Sequence, residues 1–192
     1  MKWNLMTTFP VAAALVLMPA LSSAATPVEN TPGVVQLTHA LDARKATPGE
    51  MIETRLTHTV HLADGTKLPG GSWLTAKVVR DAVQPDNVRL ALRFTSARLK
   101  DGTTIPIKAT IIDVAPNPYS GSGRSSIMIP DNLKNMRDSI DAIGVESGVD
   151  MHSRVSSNVS GVFVSTKKDD VKLPDGTQME LALSRRSEMA QK

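Results

Sequence analysis

Residues 88–114 read VRLALRFTSARLKDGTTIPIKATIIDV. Val88, Leu90, Leu92 and Phe94 occupy every second position at its start, with Arg89 and Arg93 between them. A period of two places successive side chains on opposite faces, so this is a strand with one apolar and one charged face. The alternation stops at Asp101-Gly102-Thr103 and resumes over residues 104–114. Asp-Gly suits a two-residue hairpin loop in which both central residues take positive φ, which glycine adopts freely and aspartate tolerates. Pro106 has no N–H to give to a neighbouring strand, so an edge or a bulge is expected there.

The same tripeptide recurs at Asp64-Gly65-Thr66 and Asp175-Gly176-Thr177. Residues 52–62 alternate Ile, Thr, Leu, His, Val and Leu with Glu, Arg, Thr, Thr and His. Residues 73–83, 161–166 and 178–184 supply further strands. Hairpins turned at three Asp-Gly corners predict a mainly β fold, an antiparallel β-barrel or sandwich. One amphipathic α-helix is expected to be inserted before the last strands, over about residues 131–143. There Leu133, Met136, Ile140 and Ile143 recur at three or four, Asp131 or Asn132 can cap, and Gly144 can terminate. Residues 118–126 and 146–160 read as loops.

At the start, Lys2 precedes the apolar run of residues 9–21, Pro19 breaks it, and Ser22-Ser23-Ala24-Ala25 offers a small-residue cleavage site. This is the layout of a signal peptide over residues 1–24, and the run is too short to span a bilayer. Residues 25–36 are rich in Thr and Pro and read as a flexible lead-in. The β-domain is expected over residues 37–185, with a tail over 186–192. The chain has no cysteine, which removes disulfides and thiolate chemistry, and aromatics are only 3% of it, too few for a stacking platform. Its 22 cations are interspersed with 19 anions, which reads as a solvated mixed surface rather than a nucleic-acid footprint.

Four histidines are present: His39, His58, His61 and His152. His58 and His61 are three apart, and on a strand such positions face opposite ways, so one metal ion cannot easily take both. Asp64, Asp101 and Asp175 are accounted for by their turns. The Gly121-Ser122-Gly123-Arg124-Ser125 loop lacks the Gly-Lys-Ser/Thr ending of a phosphate loop, and Gly70-Gly71-Ser72-Trp73 lacks the closing glycine of a nucleophile elbow. Lys167-Lys168-Asp169-Asp170 reads as a solvated charge run, and Asn158-Val159-Ser160 matches a glycosylation sequon. No catalytic, cofactor-binding or metal-ligating residue is therefore assigned, and no cofactor is expected.

Leu41-Asp42-Ala43, Gly49-Glu50, Leu56, Val60, then Leu68-Pro69-Gly70-Gly71-Ser72-Trp73-Leu74 and Val78-Val79 form a pattern. It resembles the β-barrel domain of TrbI-like proteins, outer-membrane core subunits of type IV secretion systems. Residues 171–181, VKLPDGTQMEL, resemble the last hairpin of that barrel. The pattern is more similar still to small signal-peptide-bearing envelope proteins of unknown function from soil bacteria such as acidobacteria. The secretion subunits carry a cytoplasmic segment, a transmembrane helix and a proline-rich region that have no counterpart here. The resemblance thus implies the barrel as a structural domain, with no catalytic residue to carry over.

The expectation is an exported, non-catalytic β-domain, periplasmic, associated with the outer envelope, or secreted. It acts as an envelope structural or binding module. Its partners would be another envelope protein or a cell-surface polymer, without nucleic acid and without a transmembrane helix in the mature chain, with homo-oligomerisation open. The alternative is an exported hydrolase whose site is assembled from scattered residues such as His58, Asp113 and Ser122. A further alternative is ligand carriage inside the barrel, which needs a cavity of at least about 300 Å³.

Overall fold

The structure, a computed structural model, describes residues 30–79, 89–116, 139–146, 148–154, 157–165 and 171–186. The expected signal peptide, the glycine-serine loop, the charge run at 167–170 and the expected tail beyond residue 186 lie outside the described residues. Thirteen strands and no helix occur among the described residues: β1 (Thr31–Leu37), β2 (Leu41–Asp42), β3 (Met51–Leu56), β4 (Val60–His61), β5 (Lys67–Leu68), β6 (Trp73–Val79), β7 (Arg89–Arg98), β8 (Thr104–Ala115), β9 (Ser139–Glu146), β10 (Val149–Arg154), β11 (Gly161–Ser165), β12 (Lys172–Leu173) and β13 (Gln178–Arg185).

Six of them close into an antiparallel barrel in the order β6-β3-β1-β13-β8-β7, with β7 returning to β6. Between barrel and sandwich, the chain takes the barrel. Closure removes the unpaired edges that an open sheet of this size would offer. The strand that completes it is β1, in a region expected to be lead-in. Its Thr31 pairs with Leu183 and its Gln36 with Gln178, while its other edge takes Val35 to Leu56. The composition of residues 31–36 is polar, but Val35 and Leu37 point inward and are buried. Two flanking strands supply the burial that this segment lacks on its own. Gly33 also faces inward, where a Cβ would stand 2.7 Å from Leu183 Cδ1 and 3.0 Å from Val60 Cγ2.

Alternation in each wall strand fills the interior. Leu56, Leu74, Leu92, Phe94, Ile107, Ile111, Leu181 and Leu183 are all essentially inaccessible. Burying each such side chain contributes roughly 1.5–3 kcal/mol. One end is plugged by the β4–β5 hairpin through Val60, Leu62 and Leu68, the other by the β2–β12 pair through Leu41 and Leu173.

Two of the three Asp-Gly-Thr corners are hairpins, in a form that differs from expectation. Gly65 N–H donates to the Leu62 carbonyl at 2.9 Å and Leu62 N–H to the Thr66 carbonyl at 2.9 Å. Gly102 N–H donates to the Leu99 carbonyl at 3.1 Å and Leu99 N–H to the Thr103 carbonyl at 2.8 Å. Only the glycines take positive φ, +83° and +87°, so each loop has three residues, with glycine in the left-handed position after a tight turn. At the third corner Gly176 donates to the Leu37 carbonyl, β12 pairs with β2, and β13 pairs with β1 and β8. That corner joins an end plug to the wall instead of making a hairpin. The strand expected over residues 52–62 is likewise divided, into β3 and β4 on either side of residues 57–59.

The wall forks between β7 and β8. These strands pair only from Ser96↔Pro106 to Arg98↔Thr104. Pro106, which has no N–H to donate, sits where the pairing ends. Beyond it Ser160 bridges the gap: its N–H donates to the Leu92 carbonyl at 2.8 Å, its carbonyl accepts from Ile111 N–H at 2.8 Å, and its Oγ accepts from Phe94 N–H at 2.9 Å. The freed edge of β7 then pairs with β11, and a wing β11-β10-β9 extends from the barrel. Phe163, Met151, Val149 and Val145 carry the core into that wing.

The wing corrects two expectations. Residues 139–143 of the expected helix belong to β9, and residues 131–138 lie outside the described residues. Ile140 packs on Ile112 and Ala182, whereas Ile143 is 77% exposed, so the two isoleucines do not share the apolar face a helix would give them. Gly144 adopts φ +67°, and the register of β9 against β10 shifts between Val149 and Met151. A left-handed glycine ends a helix or kinks a strand equally well, which is why the sequence signal misled. Residues 149–154, expected as loop, form β10 with Val149, Met151 and Ser153 buried in alternation.

Gly161 tests this arrangement, because a Cβ there would lie 2.8 Å from Ile111 Cδ1 and 3.2 Å from Ile111 Cβ. Gly161→Ala is expected to lower stability by about 1–3 kcal/mol. The penalty should shrink in an Ile111→Val background, as read by urea denaturation of the four proteins of the double-mutant cycle. Equal penalties in both backgrounds would show that the close approach at the fork is absent.

Candidate binding face on the barrel wall

Because inward positions are apolar, the chemistry of the wall lies on its outward positions. On β3 these are Met51, Glu53 and Arg55, on β6 Trp73, Thr75, Lys77 and Val79, and on β7 Arg89, Arg93, Ser96 and Arg98. Cross-strand register groups them in rows: Arg55, Trp73 and Arg98 form one, and Met51, Lys77 and Arg93 another. The turn after β7 adds Lys100. These strands and the turn after β7 therefore carry six cations, Arg55, Lys77, Arg89, Arg93, Arg98 and Lys100, against two acids at the same positions, Glu53 on β3 and Asp101 in the turn.

Two of the arginines have partners on the face itself. The Arg55 guanidinium lies 6.0 Å from the Trp73 ring centroid, within reach of a cation–π contact. Arg98 Nη2 donates to Glu53 Oε1 at 3.0 Å, and both side chains are about half exposed, so the pair orients more than it stabilises. Gly71, at φ +83°, leaves open a point that Lys100 Nζ and Arg55 Nη2 approach to 3.6 Å and 3.5 Å. Arg93 Nε is buried without a hydrogen-bond partner, while the residue as a whole is partly exposed. Chemically, such a face offers forked, permanently charged donors to phosphate or carboxylate groups.

The other side of the barrel differs. Asp113 of β8 and Glu180 of β13 are cross-strand partners, both partly buried. Burial pushes both carboxyl groups above their ordinary range. For Glu180 the Asp113 charge adds to this and His58 opposes it, and for Asp113 a hydrogen bond from Val114 N–H opposes it. Two residues of the hydrolase alternative, His58 and Asp113, thus both border Glu180, while Ser122 lies outside the described residues. The His58 ring Nδ1 is 2.8 Å from the Thr57 hydroxyl.

His58 lies in the break between β3 and β4 and His61 at the end of β4, both exposed, and His39 is exposed beside the Thr38 hydroxyl at 3.1 Å. His152 Nδ1 meets Asp141 Oδ1 at 2.7 Å on the open face of the wing. Among the described residues, no three His, Asp or Glu side chains are grouped to hold a metal ion. Asp64 and Asp101 accept hydrogen bonds from Thr66 and Thr103 N–H at 2.9 Å, which hold their carboxyls below the usual range.

A pocket of about 470 Å³ lies beside the β2–β12 plug, lined by Asp42, Lys45, Glu50 and Lys172 among others. It belongs to the plug and the loop after β2, not to the barrel interior. Its acids are engaged locally: Asp42 accepts from Arg44 N–H at 3.0 Å and Glu50 from Thr47 N–H at 2.9 Å.

Reading the sequence for interspersed charge missed the basic face. The signal was present in residue parity: Arg89 and Arg93 share a face of β7, and Arg55 and Lys77 share the outer face of theirs. No family model matches the chain, and no curated protein matches it.

The raised carboxyls give a pH test with a definite sign. A carboxyl whose pKa is raised on folding binds its proton more tightly in the folded chain, so its ionisation costs stability above that pKa. Glu180→Gln is expected to raise stability at pH 7 by about 0.5 kcal/mol, a small gain because the carboxyl is only partly buried. The gain should vanish as pH falls through the carboxylate range, as read by urea midpoints at several pH values. A gain independent of pH would refute the assignment.

Proposed function

We propose that this chain is an exported, non-catalytic β-barrel module of the bacterial envelope that works by binding another envelope component through its outer wall. The observation that carries this reading is the sorting of side chains by the wall: apolar residues fill the interior and the cations gather on one outward face. Apolar side chains from every wall strand are buried in the interior, which favours the outer surface as the place where a partner acts. The signal-peptide layout of residues 1–24 supports export, and the absence of cysteine suits an envelope that does not depend on disulfides. The resemblance to the TrbI-like barrel domain supports a scaffold role.

The test is cross-linking and size analysis of the native envelope fraction. The protein is expected in species larger than one chain, through a complex with an envelope partner. Recovery only as a free monomer, with no cross-linked product, would overturn the proposal.

A further inference from the structure

We infer that the β3–β6–β7 face binds a linear polyanion, a polymer with closely spaced phosphate or carboxylate groups, through Arg55, Lys77, Arg93, Arg98 and Lys100. This rests on the reading of the barrel as a binding module and names the chemistry of its partner.

The argument is charge complementarity on a surface of defined size. Arg93 and Arg98 are five residues apart on β7, about 16 Å, and three strands span about 10 Å. Such an area accepts a few consecutive anionic groups of one polymer and exceeds what a single small anion needs. Arg89 continues the line along β7 toward the opposite end. Three of the arginines have a defined setting: Arg55 lies over the Trp73 ring, Arg98 is paired with Glu53, and the Arg93 Nε is buried.

A lipid surface is the less suitable occupant. Binding to a bilayer needs apolar side chains that enter it as well as charge. Among the described residues the exposed large hydrophobics are Met51 and Ile143, 60% and 77% exposed, and Ile143 lies on the wing rather than on this face. Trp73 lies under the Arg55 guanidinium and is only partly exposed, so it packs against charge instead of projecting from the wall.

Trp73 also provides the readout, since the only other tryptophan is Trp3. The exported protein, which on the reading of residues 1–24 as a signal peptide no longer carries Trp3, is titrated with poly(glycerol phosphate), with polyglutamate, with uncharged dextran and with anionic vesicles, following tryptophan emission. Poly(glycerol phosphate) or polyglutamate is expected to bind, the stronger of the two identifying the anionic group. Affinity should fall about a hundredfold between 50 and 200 mM salt, as release of counterions from several contacts requires. Lys77→Gln with Lys100→Gln should weaken binding at least tenfold. The matched pair Lys67→Gln with Lys108→Gln removes the same charge elsewhere on the barrel and should change it less than twofold. Equal loss in both pairs would reduce the effect to net charge and overturn the inference, as would no binding to either polymer, or vesicles binding as tightly as the polymers. If polyanion binding fails while cross-linked envelope complexes persist, the inference falls and the module reading stands. Failure of both sinks both.

Discussion

The pairing of β1 with β13 joins the beginning of the described chain to its end, and the division of the molecule into inside and outside depends on it. These strands are separated by more than a hundred residues, so their meeting carries a large loop-closure cost that local propensity cannot offset. What offsets it is the shared interior: Val35 and Leu37 from one strand and Met179, Leu181 and Leu183 from the other enter the same core. Without that contact β1 and β13 would present open edges, and the outward faces of the wall would have no fixed arrangement.

Closure by six strands leaves one defect, at the fork between β7 and β8, and the sequence meets it with small residues. Ser160 gives and receives backbone hydrogen bonds across the gap and adds a third through its hydroxyl, while Gly161 lets β11 lie against Ile111 without a side chain in the way. The Ser153 hydroxyl donates to the Ile111 carbonyl from the second wing strand. Buried carbonyls and amides that the parted strands could not pair are thereby satisfied, as a buried backbone requires. The wing is thus a patch in the wall as well as an extension of it.

Much of this was legible in the sequence, and the failures have physical causes. β7 and β8 were read almost to the residue, because their alternation is long and their turn carries glycine. β1 was missed since its composition resembles a linker and its ordering comes from neighbours far along the chain. β9 was read as helix because apolar residues three and four apart, followed by glycine, satisfy a helical pattern and a kinked strand alike. The third Asp-Gly corner turned the chain without making a hairpin, since a corner fixes direction but not the strand that will be met. The basic face is not legible from the run of charges along the chain, because a barrel sorts them by parity across strands. Asp113 and Glu180, distant in sequence, became neighbours only through the β8–β13 register.

With no native cysteine, a single engineered pair tests closure directly. Gln36 and Gln178 are cross-strand partners on β1 and β13, and both point outward. Cysteines at these two positions should form an intramolecular disulfide under mild oxidation, read as a monomer of unchanged chain mass with no free thiol. Persistent free thiols, or disulfide-linked dimers in their place, would mean that the two ends of the wall do not meet and that the barrel is open.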